Sequence, residues 1–184
     1  MGMYLGLDVS TSCTGVALVD SSGKLVRASY VYLGEHSTIH GKAEAIKKEL
    51  QTYATNPLTC VAIEQNLLGF RRGASSAATL ITLARFNGVV AYVASQVFGV
   101  DPVTIPVVTA RKDLLIPHKK GEDVKKNVFE WVLKQEPEYT WPTKTVKLGK
   151  RKGEVIYEKG VEDACDAYVM ARAAILMKIV SDRL

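Results

Sequence analysis

Gly6-Leu7-Asp8-Val9-Ser10-Thr11-Ser12-Cys13-Thr14-Gly15-Val16-Ala17 is the stretch from which the fold can be read. Apolar runs Tyr4 to Val9 and Val16 to Val19 flank its Ser/Thr-rich turn, and Ser21-Ser22-Gly23 leads into the Val- and Tyr-rich segment Leu25 to Leu33. Short β-prone runs separated by turn residues spell a three-strand antiparallel meander. Asp8 stands where the first strand ends. A carboxylate there is solvated at the sheet rim, paired with a base, or bound to a cation, since burying it bare costs roughly several kcal/mol.

Working outward, Ile39, Ala43, Ile46, Leu50 and Tyr53 recur at the three-and-four spacing of an amphipathic helix. Leu58 to Ile63 follows, apolar on both alternating faces, as a central strand covered on both sides is. Glu64 ends it. A long apolar segment from about Ala74 to Phe98 is read as a buried helix, since Arg85, Asn87 and Gln96 interrupt it too often for a membrane span. Val103-Thr104-Ile105, with Val107-Val108 beyond, is expected as a short fifth strand between and after Pro102 and Pro106. Helical pieces are expected near Ala110 to Leu115 and Glu122 to Lys134, and a final helix over Val161 to Val180. Between them, Glu136 to Gly160 carries Pro137, Pro142 and the basic turn Lys147 to Gly153, and reads as an exposed hairpin or flexible loop. The expectation is one α/β domain over residues 1–184: a mixed five-stranded sheet flanked by helices, with a basic insertion at about 136–160.

Composition narrows the function classes. With 184 residues, 47% apolar content and a net charge of +5, disorder is excluded as the main state and a fold of two large lobes is not expected. Cys13, Cys60 and Cys165 are odd in number and lack a CxxC pair, so neither a disulfide framework nor a zinc knuckle is expected. The strand-like start, without a basic leader and cleavage site, adds to the expectation of a reduced, cytoplasmic setting without membrane attachment. The charge excess is concentrated. Residues 1–110 hold 8 basic and 7 acidic groups, residues 111–160 hold 13 and 8, and residues 161–184 hold 3 and 4.

The acids are also patterned. Asp163 and Asp166 are three apart and share one helix face, which continues as Ala167, Met170, Ala174 and Met177. Docking that apolar stripe on the sheet carries both Asp toward the strand ends where Asp8 and Glu64 stand. Four carboxylates converging without His or Cys make an oxygen-only site, suited to Mg²⁺ or Mn²⁺.

Gly6-Leu7-Asp8-Val9-Ser10 with Thr14-Gly15-Val16-Ala17, Ala62-Ile63-Glu64-Gln65, and Asp163-Ala164-Cys165-Asp166-Ala167 resemble the three motifs of RuvC-type Holliday junction resolvases. The resemblance runs from about Tyr4 to Ala174 and implies an RNase H-like fold, a homodimer, and symmetric cutting of four-way DNA junctions. It further implies Asp8, Glu64, Asp163 and Asp166 as catalytic residues that hold two divalent ions per site, Asp8 bridging them. Leu67 occupies the place of the family's junction-prying aromatic, and Phe70 comes three residues later, so both are wedge candidates. Candidate DNA contacts are Arg71 and Arg72 after Glu64, Lys112, Lys119 and Lys120 around His118, and Lys150, Arg151 and Lys152 in the insertion. The long apolar helix calls for two covers: one is its own sheet, and the other is either a twin subunit or more of the same subunit. Rival readings are an actin-like ATPase or kinase fragment, whose first phosphate loop shares the Asp8 to Gly15 pattern, and a non-catalytic RNase H-like nucleic-acid-binding module.

Overall fold

Alternation along the strands decides the layers. The computed structural model describes residues 2–55, 57–65, 76–118 and 121–181. Strands β1 (Met3–Asp8), β2 (Cys13–Asp20) and β3 (Leu25–Tyr32) form the expected antiparallel meander, while β4 (Leu58–Glu64) runs parallel to β1 and β5 (Val103–Ile105) parallel to β4. The sheet is five-stranded, in the order β3-β2-β1-β4-β5. Leu5, Leu7, Val16, Leu18, Val61 and Ile63 turn to one face. There they meet Ile46 and Leu50 of α1 (Ile39–Gln51) and Phe86 and Val90 of α2 (Ala77–Phe98). Each such buried side chain contributes about 1.5–3 kcal/mol.

The opposite face carries the alternate residues Tyr4, Ala17, Val19 and Ala62, and it receives α5 (Gly160–Ser181) with α3 (Val107–Asp113) and α4 (Val124–Gln135) beside it. Small residues in the sheet let α5 come close. A Cβ on Gly6 would stand 1.9 Å from the Ala167 carbonyl oxygen, and one on Gly15 would stand 2.0 Å from that of Asp163. The helix backbone therefore rests directly on β1 and β2. Parity then sets the site: Tyr4, Gly6 and Asp8 share the α5 face of β1, as Cys60, Ala62 and Glu64 share that of β4.

Local signals explain most element ends. Ser76 and Asp123 cap α2 and α4, their side chains accepting hydrogen bonds from Thr79 N at 3.2 Å and Lys125 N at 3.0 Å. Three expectations need correction. Val107 and Val108 open α3 instead of extending a strand, because the Pro106 carbonyl accepts from Ala110 N and closes a helical turn. The α2 helix is not buried: only Phe86, Asn87, Val90 and Ala94 are enclosed, and its length and apolar composition would suffice to cross a membrane. Finally, only part of Glu136 to Gly160 is exposed. Strands β6 (Thr143–Thr145) and β7 (Val155–Tyr157) form a hairpin with an exposed basic turn, but Glu136 and Trp141 are buried. Glu136 accepts hydrogen bonds from Leu25 N at 3.0 Å and the Tyr168 hydroxyl at 2.7 Å, tying this segment to the sheet and to α5.

Candidate active site

The strand parity and the α5 contact bring the four predicted acids to one cavity of about 540 Å³, whose lining includes Asp8, Glu64, Asp163 and Asp166. Each arrives by a definite route. Asp8 ends β1 opposite Gly15, and Gly15 is the residue on which the Asp163 carbonyl rests. Leu7 pairs with Ile63, so continuing the parallel register by one residue sets Glu64 beside Asp8. The Asn87 side chain of α2 donates to the Glu64 carbonyl at 3.0 Å, and Gln65 N donates to the Ile105 carbonyl at 2.9 Å, fixing the strand end. Asp166 lies one helical turn below Asp163 and is 5% exposed.

Sequence patterns did not show the cations that join them. Arg111 of α3 reaches Asp166 at 3.3 Å, and Lys125 of α4 and Lys159 before α5 line the same cavity. Four carboxylates thus face three cations. Burial pushes Asp8 well above the usual carboxylate range, and the Asp166, Glu64 and Asp163 charges push it further. Burial likewise raises Glu64, assisted by Asp166 and opposed by Arg111 and by a hydrogen bond with Asp8. Asp166 is raised by burial against the pull of Arg111 and Lys125. Lys125 is itself held above its usual range: burial works against its charge, but Asp166, Asp163, Asp8 and Glu162 outweigh it.

The turn between β1 and β2 forms another wall. Ser10 Oγ donates to the Cys13 carbonyl at 2.6 Å and accepts from Cys13 N at 3.1 Å, while Lys42 Nζ donates to the Thr11 carbonyl at 2.6 Å. Burial and a hydrogen bond to Asp163 push the Cys13 thiol upward, so it stays protonated as a donor to that carboxylate. Tyr32 closes the rim, its hydroxyl accepting from Gly160 N at 3.0 Å. The β6–β7 hairpin is rooted here too: Glu158 N donates to the Pro142 carbonyl, Tyr30 donates to the Glu158 carboxylate, and Lys159 lies in the cavity wall.

The remaining candidates divide by position. Lys112 and His118 line a neighbouring cavity, and Lys150, Arg151 and Lys152 are exposed on the hairpin turn, where Arg151 Nε pairs with Glu154 at 2.7 Å. Arg71, Arg72, Lys119, Lys120, Leu67 and Phe70 lie outside the described residues. As for a metal, the donor set is four carboxylates, and in three of them, Asp8, Glu64 and Asp166, the charged form is disfavoured by burial and by neighbouring acids, which fits a hard divalent cation. Among the described residues, no three His, Cys, Asp or Glu side chains already converge as ligands of one ion.

No protein-family model and no curated protein matches this sequence. Among solved structures, Thermus thermophilus RuvC in complex with a Holliday junction substrate superposes with a TM-score of 0.66 at 14% identity, over 97% of this chain and 96% of that one. The fold is that of RuvC. A second Thermus thermophilus RuvC structure agrees, with a TM-score of 0.61 and 16% identity over 97% and 96% of the two chains. The likeness in fold thus runs over nearly the whole length of both chains. At such low identity the likeness speaks for the architecture; the chemistry has to be argued from the side chains in the cavity.

Proposed function

We propose that this chain is a divalent-metal-dependent endodeoxyribonuclease that resolves four-way DNA junctions by paired, symmetric nicks. The observation that carries the reading is the convergence of Asp8, Glu64, Asp163 and Asp166, from three separate elements, on one cavity bordered by Arg111, Lys125 and Lys159. The four acids would hold the metal. The chemistry that a divalent pair supplies in such a site is activation of water and stabilisation of the departing oxygen in an in-line displacement at phosphorus. Arg111 keeps Asp166 turned into the cavity, Cys13 does the same for Asp163, and Lys125 and Lys159 offer charge to the phosphate oxygens. The test is incubation of a synthetic four-way junction with Mg²⁺ or Mn²⁺. Nicks at symmetry-related positions are expected, and binding without cutting under every condition would sink the enzyme reading.

Symmetric nicking needs two sites, and α2 supports a two-fold dimer. Its outward side presents Ile81, 52% exposed, and Tyr92, 65% exposed, with Gly88 between them facing open space. Exposed Arg85 shares this side between Ile81 and Gly88, and a second copy that covered Ile81 and Tyr92 would be stabilising. Light scattering is expected to give twice the chain mass; a monomer mass that persists with junction DNA would count against the dimer.

The hairpin turn is the third part of the reading. Replacing Lys150, Arg151 and Lys152 with Ala should weaken junction binding and flatten the slope of log affinity against log salt by about 2 to 3, the change expected when that many phosphate contacts are lost. Arg151 contributes least, because Glu154 already holds it. An unchanged slope would return the turn to an ordinary solvated loop.

A further inference from the structure

The side chains around the carboxylate cleft are acids, cations, hydroxyls and a thiol, with one exception: Tyr32 is the single aromatic among the described residues that line it. It is 50% exposed. Its place is nevertheless fixed from several sides. The Tyr32 backbone pairs with Cys13, whose thiol is hydrogen-bonded to Asp163, and the pairing continues beyond it, Leu33 N donating to the Ser12 carbonyl at 2.8 Å. The Tyr30 ring meets the Tyr32 ring in an edge contact, with 5.3 Å between centroids and 63° between planes. The Tyr32 hydroxyl accepts from Gly160 N at 3.0 Å, and Gly160 is itself pressed on the Tyr30 ring so closely that a Cβ there would overlap it. The hydroxyl is therefore anchored on the start of α5, and the ring is what Tyr32 offers to a ligand. Lys159, the residue before Gly160, lines the same cleft.

We propose that Tyr32 is a stacking platform for one nucleobase of the strand whose phosphate enters the carboxylate cleft, and that through this stack the protein prefers a branch point to continuous duplex. The placement of that strand rests on the nuclease reading above. Because Tyr32 is bonded to the residue next to Lys159, a nucleotide whose phosphate meets the Lys159 charge brings its base to the ring. Within a duplex every base is already stacked on its neighbours, and taking one out is costly. At a branch point the stack is interrupted, so a base there can turn onto the ring at much lower cost. A ring held in place beforehand also loses little freedom when the base arrives. Every base has a π face, so the platform responds to the break in stacking and not to the sequence. Tyr32 belongs to β3 and acts independently of Leu67 and Phe70.

Binding to the intact chain tests this apart from cutting. An abasic site is walked one nucleotide at a time through the branch point of a four-way junction, and affinity is measured with Ca²⁺ in place of Mg²⁺. At one position, loss of the base should weaken binding by at least about fivefold, the lower end of what one base–aromatic stack contributes. Tyr32→Leu should lose the same factor on the intact junction and nothing further on that abasic one, the coupling expected of two groups in contact. Its affinity for linear duplex should stay within about twofold of the parent. Tyr32→Phe keeps the ring and loses the bond to Gly160, and it should bind as the parent does. A role confined to holding α5 predicts the reverse: Tyr32→Phe falls to the level of Tyr32→Leu, and junction and duplex weaken together. That result, an abasic loss that persists in full in Tyr32→Leu, or no sensitive position anywhere around the branch point would each overturn the platform. Symmetric nicking without the coupling would end the platform alone, whereas coupling in a chain that never nicks would end only the nuclease reading.

Discussion

Asp8→Asn is expected to leave junction binding within a few-fold of the parent while reducing nicking by at least about 10²-fold, because even groups that only support a metal ligand cost 10–100-fold when removed. Asparagine keeps the shape and loses the charge. The same substitution carries a stability signature whose sign follows from burial. Asp8, Glu64 and Asp166 are all raised in the folded protein, so the folded state binds protons that the unfolded state has already released. Stability then falls as pH rises from the ordinary carboxylate value of about 4 through the raised values. In metal-free buffer the parent's melting temperature should therefore decline across that window, and Asp8→Asn should flatten the decline by removing one of the three raised groups. Saturating Mg²⁺ should restore the parent at neutral pH and do much less for the variant. Parallel melting profiles for the two proteins, with and without metal, would show that Asp8 does not belong to a shared cation site. Normal nicking by Asp8→Asn would end its catalytic assignment.

How legible this site was in the sequence depended on how local its determinants are. Asp8 and Glu64 could be placed because a strand has a period of two and both residues end apolar runs; Asp163 and Asp166 could be placed because a helix brings positions three apart together. Arg111 and Lys125 obey no such local rule. They come from α3 and α4, and which of the neighbouring cations Arg111 and Lys112 reaches the acids is decided by how α3 packs against α5 through buried Ala110. Asn87 did leave a signal, a polar amide inside an apolar helix, which in the fold is buried against the end of β4. The Glu136 to Gly160 segment misled because prolines and lysines dominate its composition. Its aromatic residues were the better guide: Trp141 is 6% exposed, and the Tyr139 hydroxyl accepts from Ala28 N at 2.8 Å. On α2, apolarity was visible, but apolarity alone does not say whether the cover belongs to the same chain.

The largest effect on stability is expected from one methyl group. Gly15→Ala would set a Cβ 2.0 Å from the carbonyl oxygen and 2.3 Å from the carbonyl carbon of Asp163, and 2.7 Å from Ala164 N. All three neighbours are helix backbone, so no side-chain rotation relieves the overlap; α5 or β2 has to move. Overpacking of this kind costs about 3 kcal/mol or more, which in a chain of this size lowers the melting temperature by roughly 6–12 °C. Gly34 provides the control, since a Cβ there meets nothing within 4 Å and Gly34→Ala should melt within about 2 °C of the parent. Because the displaced backbone belongs to Asp163 itself, whatever folded Gly15→Ala protein remains should also bind Mg²⁺ more weakly, although no carboxylate has been altered. If Gly15→Ala melts and binds metal as Gly34→Ala does, α5 does not rest on the sheet through these glycines, and the route that carries Asp163 and Asp166 to Asp8 is wrong. A loss of metal affinity in step with stability would instead tie the two motifs, 148 residues apart from Gly15 to Asp163, into one device: glycines in the sheet set the height of the helix, and that height sets the distance between the acids.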